Sequence, residues 1–222
     1  MGSDDLHHKR KAKQAKDLER RKAMRRRYDK VLIVCEGSKT EPFYFNELKD
    51  HYELDTANIK ISGDCGSDPM SVVAHGEDLY QKEIDKCNEP FDRVYCVFDK
   101  DAHSSYNDAL NKISNLKPSA TFFSAVSIPC FEVWLLLHFR YSSAPIIATG
   151  NKSAGDNALD ELIRYMPNYQ KGDRGTFPEL FGKLHLAKAH AERLNLHCKA
   201  SGTDNPTTKI IDLLTYLQNL KS

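Results

Sequence analysis

At 222 residues, with 40% hydrophobic and 28% charged content, the chain is long enough to bury a core as one large domain or a domain with an appendage. No apolar run approaches the ~18 residues of a membrane span, and the charged N-terminal stretch does not read as a secretory signal, so a cytoplasmic protein without a membrane partner is expected. The net charge of +1 conceals an asymmetry: residues 9–27 hold eleven Lys or Arg against Asp17 and Glu19, a local +9 that leaves −8 on the remainder.

That basic run opens the chain. Residues 1–27 are read as an arm whose Lys, Arg, Ala, Gln and Glu favour helix but whose few apolar residues give it nothing to dock with. Arg20, Arg21, Arg25, Arg26 and Arg27 are its candidate phosphate contacts, because cations that neutralise phosphates release counterions. The alternative is a solvated tail that touches nothing.

An apolar run at about 30–35 predicts a first strand, ending in Glu36, Gly37 and Ser38. Thr40, Glu41 and Pro42 then read as a helix start, with a capping hydroxyl, an acid in the first turn and a proline where its missing N–H costs nothing. The helix runs to about residue 51, with Phe45 and Leu48 inward. A second strand is expected at 58–62. The loop GDCGSDP follows (63–69), with Ser67 or Asp68 capping a helix over about 70–88. A small-residue loop opening a helix can cradle phosphate, although most such loops only turn the chain.

A third strand at 93–98 ends in Asp99 and Asp101; a helix at about 105–116 and a fourth strand at 121–126 follow. Strands without polar alternation are buried on both faces, and the β-α-β-α-β-α-β order calls for a parallel sheet flanked by helices. Ligands of such sheets collect beyond the carboxyl ends of the strands. There Glu36, Asp99 and Asp101 converge if their strands are neighbours, and hard carboxylate oxygens suit Mg²⁺ or Mn²⁺. Ordinary loop solvation explains any one of these acids alone.

The stretch IPCFEVWLLLHFR (128–140) predicts a buried helix after Pro129, with Glu132 and His138 as its polar exceptions. A buried acid needs a partner, so Glu132 is either a further metal ligand or a carboxylate satisfied by the backbone N–H groups of its own helix. After a Ser/Ala/Gly/Asn loop, helices are expected at about 156–166, 181–197 and 207–220. Between the first two, PNYQKGDRGTFPEL interleaves Tyr169, Lys171, Arg174 and Phe177, a pattern that can hold phosphates while stacking bases, or simply connect two helices. Leu213, Leu214 and Leu217 give the last helix one apolar stripe. The six cysteines include no C-x-x-C pair, so neither zinc nor a disulfide framework is expected.

Glu-Gly after a first strand and Asp-x-Asp after a later one resembles the toprim (topoisomerase–primase) domain. More narrowly, VCEGSKTEPFYF, VFDKDAH and PCFEVWLLLHF in this order resemble the RloB-like family, which includes the phage-abortive protein AbiLii, over roughly residues 29–215. The resemblance implies a toprim-like α/β core at 28–140 behind the basic arm, with a C-terminal helical part at 141–222. It implies a Mg²⁺-dependent nuclease of bacterial defence, often encoded beside an ABC-type ATPase. By analogy with related effectors the expected substrate is RNA such as transfer RNA; DNA cutting or nicking, or a non-catalytic binding module, are the rival readings. The expected metal ligands are Glu36, Asp99, Asp101 and Glu132, with Glu41 completing a second position. Lys171 would neutralise the scissile phosphate. Lys39, His103, Tyr169 and Arg174 join the arm as candidate nucleic-acid contacts, and oligomeric state is left open.

Overall fold

The computed structural model describes residues 29–220 apart from positions 55, 57, 64, 67, 101 and 102. Asp101 and the arm with Arg20, Arg21, Arg25, Arg26 and Arg27 therefore lie outside the described residues. Elements alternate as the apolar runs require: β1 (Val31–Cys35), α1 (Thr40–His51), β2 (Ile59–Ser62), α2 (Pro69–Asp85), β3 (Arg93–Asp99), α3 (Tyr106–Asn115) and β4 (Phe122–Ile128). A mainly helical half follows, with α4 (Glu132–Leu136), α5 (Ala154–Ile163), α6 (Thr176–Leu180), α7 (Leu184–Ser201), β5 (Thr207–Thr208) and α8 (Ile210–Asn219). The strands form one sheet in the order β2-β1-β3-β4-β5, parallel except for β5 at the edge. This is the expected parallel α/β sheet flanked by helices.

Alternate side chains along each strand face opposite ways. Val31, Ile33, Cys35, Tyr95, Val97 and Ala125 face one apolar cluster, filled from the helices by residues such as Phe45, Trp134, Leu162, Leu194 and Leu214. Leu32, Val34, Val94, Cys96, Phe98 and Val126 face the other, closed by Val72 and Val73 of α2 and by Ala109 and Ile113 of α3. The molecule has three layers, and the first cluster draws on residues from both sides of position 140. The Leu213, Leu214 and Leu217 stripe belongs to it. Among the described residues no helix is long and apolar enough to cross a membrane.

Three expectations are corrected. Thr40 does not cap α1; it is the first helical residue, and Lys39 at the cap position makes no side-chain bond to the helix. Thr207 and Thr208 do not begin the last helix but pair with the end of β4, where the Ser127 and Thr208 hydroxyls bond at 3.0 Å in a buried position. Two β-branched residues favour that extended edge over helix. The predicted buried helix after Pro129 lasts only from Glu132 to Leu136. His138 Nδ1 bonds the Trp134 and Leu135 carbonyls at 3.1 and 3.2 Å, occupying acceptors that a continuing helix would use. Burial holds this histidine neutral, pushing its pKa down to about 4.

Candidate metal centre

The chain turns from β1 to β2 on one side, while β3 flanks β1 on the other. Between the carboxyl ends of β1 and β3 lies the switch point at which sheets of this type take their ligands. Glu36 follows β1 directly, its N–H donating to the Val97 carbonyl at 3.0 Å. Asp99 ends β3, and its N–H donates to Glu36 Oε2 at 3.1 Å. The Asp99 carboxylate in turn accepts the N–H of Phe131. Glu41 enters from the first turn of α1 and is 9% exposed; Glu132 enters from the start of α4 and is 1% exposed.

These four acids come from distant segments that share one aromatic support. Tyr44 of α1 packs edge-on against Phe131, next to Glu132, at 5.4 Å, and against Phe177 at 5.3 Å. The Trp134 indole N–H donates to the Tyr44 hydroxyl at 2.8 Å, so the buried polar atoms of this knot are matched. The acids themselves are not relaxed. Burial first, then the charges of Glu132 and Glu36, push Glu41 up to about 7. Burial, then Glu41, Glu132 and Glu36, hold Asp99 well above the carboxylate range. Glu132 Oε2 is buried and has no hydrogen-bond partner. A buried, unmatched carboxylate oxygen among like charges is costly unless a cation or proton offsets it.

The other oxygen of Glu132 is held from the segment joining α5 and α6. Oε1 accepts the Tyr169 hydroxyl at 3.3 Å and lies 3.2 Å from Lys171 Nζ. Tyr169 is buried, so its ring is not offered to solvent for stacking; its hydroxyl orients Glu132 instead. The segment is laced to α1. Gly172 adopts φ +85, and a Cβ there would meet Lys39 Cδ at 3.0 Å; Arg174 lies 4.2 Å over the Phe43 ring; Glu47 accepts the N–H groups of Gly175 and Phe177 at 2.6 and 3.1 Å. Lys171 and Arg174 thus ride on one strap, which packs against Lys39 and Phe43. His103 Nε2 lies 3.6 Å from Glu36 Oε1 on the opposite side.

The loop after β2 joins both acid-bearing turns. Asp68 caps α2 by accepting the N–H groups of Met70 and Ser71 at 3.0 and 3.3 Å, and it also takes the Ser105 hydroxyl just beyond the Asp-x-Asp turn. The anion at this helix start is the protein's own carboxylate. Cys65 donates its thiol to the Cys35 carbonyl at 3.0 Å. A Cβ on Gly63 would lie 2.5 Å from the Gly37 carbonyl oxygen and 3.0 Å from Ser38 Cα. Gly63→Ala is therefore expected to displace the Glu36 turn. It should cost about 1–3 kcal/mol, as overpacking does, read as a lower urea midpoint, and it should weaken any divalent-cation binding.

Sequence reasoning did not single out Cys130, two residues before Glu132, whose pKa burial and the Glu132 charge push well up, or the Asp68–Ser105 tie. The tie has no local signature, since it joins residues 37 positions apart in the chain. Among the described residues no three His, Cys, Asp or Glu side chains form a group that could hold a metal ion as they stand, and Asp101 lies outside them. The chemistry of the grouping nonetheless fits a hard divalent cation: oxygen donors only, like charges in apolar surroundings, and one buried oxygen unmatched. No curated protein and no solved structure matches the chain. The family model described as RloB-like protein does match, over residues 31–217, which span every described carboxylate of the site as well as the strap that covers Glu132. The chain belongs to the RloB-like family.

Proposed function

We propose that the protein is a metal-dependent phosphodiesterase that cleaves nucleic acid. The observation that carries this reading is the group Glu36, Glu41, Asp99 and Glu132 at the β1/β3 switch point, with Glu132 Oε2 buried and unmatched. Glu36, Asp99 and Glu132, with Asp101 two residues beyond Asp99 in the sequence, would hold Mg²⁺ or Mn²⁺, and Glu41 would serve a second position. Bound there, the cation supplies an activated water and offsets the charge that builds on phosphate. Lys171, 3.2 Å from Glu132, would meet a phosphate together with Arg174 of the same segment, and His103, 3.6 Å from Glu36, would carry a proton. The basic arm suits a long polyanion better than a small nucleotide.

By the toprim and AbiLii resemblance, we further propose RNA such as transfer RNA as substrate, within an abortive-infection system that includes an ABC-type ATPase. The test is incubation of the purified protein, alone and with that ATPase, with labelled transfer RNA, plasmid and DNA oligonucleotides in Mg²⁺, Mn²⁺ or EDTA. Metal-dependent cutting of RNA is expected. Cutting of DNA alone would move the assignment to a DNA nuclease. Binding without cleavage of any substrate in either metal would leave a non-catalytic module.

A further inference from the structure

Lys171 is the cation that Glu132 holds in this structure. Its ammonium lies 3.2 Å from Oε1, which also accepts the Tyr169 hydroxyl at 3.3 Å, while Oε2 has no partner. The lysine side chain is 50% exposed, and its neighbours are fixed by Lys39, Phe43 and Glu47. A long, half-exposed side chain on an anchored strap can swing while the backbone beneath it stays in place.

We infer that Lys171 and the divalent cation compete for Glu132, so that metal loading releases the lysine to meet the substrate phosphate. This rests on the metal-centre reading above. A cation entering among Glu36, Glu41, Asp99 and Glu132 meets the ammonium already drawn to the same carboxylate, and like charges in a low-dielectric site repel strongly. Displacement leaves three N–H donors and a positive charge beside the loaded centre, the equipment of a lysine phosphate contact. Phosphate binding then follows metal binding, and by linkage a bound phosphate that engages Lys171 strengthens metal affinity. Lys171 thereby couples the occupancy of the two halves of the site. An empty site keeps the lysine on Glu132 and presents no phosphate contact there.

The experiment is a calorimetric titration of Mn²⁺ into the full chain at pH 8 without nucleic acid, for the wild type, Lys171→Met and Lys171→Arg. Lys171→Met should bind Mn²⁺ about tenfold more tightly, equivalent to about 1.4 kcal/mol, while losing cleavage; Lys171→Arg should bind it nearly as the wild type does. In the wild type, acetylation of Lys171 by an amine-reactive reagent, read by mass spectrometry, should be several-fold faster in Mn²⁺ than in EDTA. That arm decides the matter if Lys171→Met fails to fold. Unchanged or weaker Mn²⁺ binding by folded Lys171→Met, or labelling indifferent to Mn²⁺, overturns the competition and leaves the metal centre standing. A wild type that binds no Mn²⁺ overturns both.

Discussion

Asp99→Asn and Glu36→Gln are each expected to lower cleavage by at least about 10²–10³-fold at saturating Mg²⁺, as removal of a charge-stabilising group in a reaction site does. Both replacements keep the local hydrogen bonds. Asparagine can still accept from Phe131, and glutamine can still accept the Asp99 N–H now given to Glu36 Oε2. What each removes is charge. Asp99 is held above the carboxylate range by burial and by three neighbouring acids, so its ionised form is a strained one at pH 8. Asp99→Asn should therefore raise the melting temperature of the metal-free protein, by about 2–4 °C for each kcal/mol of repulsion relieved in a domain of this size. Mg²⁺, which should stabilise the wild type, should do little for the variant. A variant that keeps wild-type turnover, or one that melts lower in EDTA and responds to Mg²⁺ as the wild type does, contradicts the proposed role of Asp99.

In the metal-free protein the contribution of Glu41 to stability is expected to be lost as the pH rises from about 4.5 to about 7. Glu41 has its pKa pushed up to about 7 by burial and by the charges of Glu132 and Glu36. The folded state therefore holds a proton that the unfolded state releases in this window. That contribution is complete below the ordinary glutamate pKa and gone once the pH passes the folded value, a difference of about 3 kcal/mol in order of magnitude. His138 works in the opposite direction: with its folded pKa down at about 4, stability falls as the pH drops below about 6.5. The two slopes overlap, so the measurement is the difference in urea midpoint between wild type and Glu41→Gln at pH 5 and pH 8 in EDTA, which cancels His138. Glu41→Gln should gain on the wild type at pH 8 and differ little at pH 5. A difference that does not change with pH would show that Glu41 is not held protonated by its neighbours.

The sheet and half of the acid cluster were legible because they rest on local pattern. Unbroken apolar runs such as Val31–Cys35 can only be buried on both faces, and an acid just beyond such a run can only lie at the sheet's carboxyl edge. Glu41 and Glu132 were legible as acids in helical first turns, but their aim was not, because it depends on how α1 and α4 meet through Tyr44, Phe131 and Trp134. Tyr169 illustrates what composition conceals. A tyrosine among Gly, Lys and Arg reads as an exposed stacking platform, yet it is buried with its hydroxyl on Glu132 across 37 positions of chain. The short α4 and the edge strand β5 were likewise hidden. One depends on where the His138 ring bonds, the other on a hydroxyl pair between Ser127 and Thr208.

The most direct test is equilibrium dialysis of Mn²⁺ against the purified wild type and Asp99→Asn at pH 8. It asks only whether the carboxylates hold a divalent cation, before any question of substrate, trigger or partner arises. Saturable binding by the wild type, displaced by excess Mg²⁺ and lost or weakened by at least about tenfold in Asp99→Asn, a change of about 1.4 kcal/mol or more, is the expected result. Absence of saturable binding by the wild type, or equal binding by a folded Asp99→Asn protein, would contradict the account.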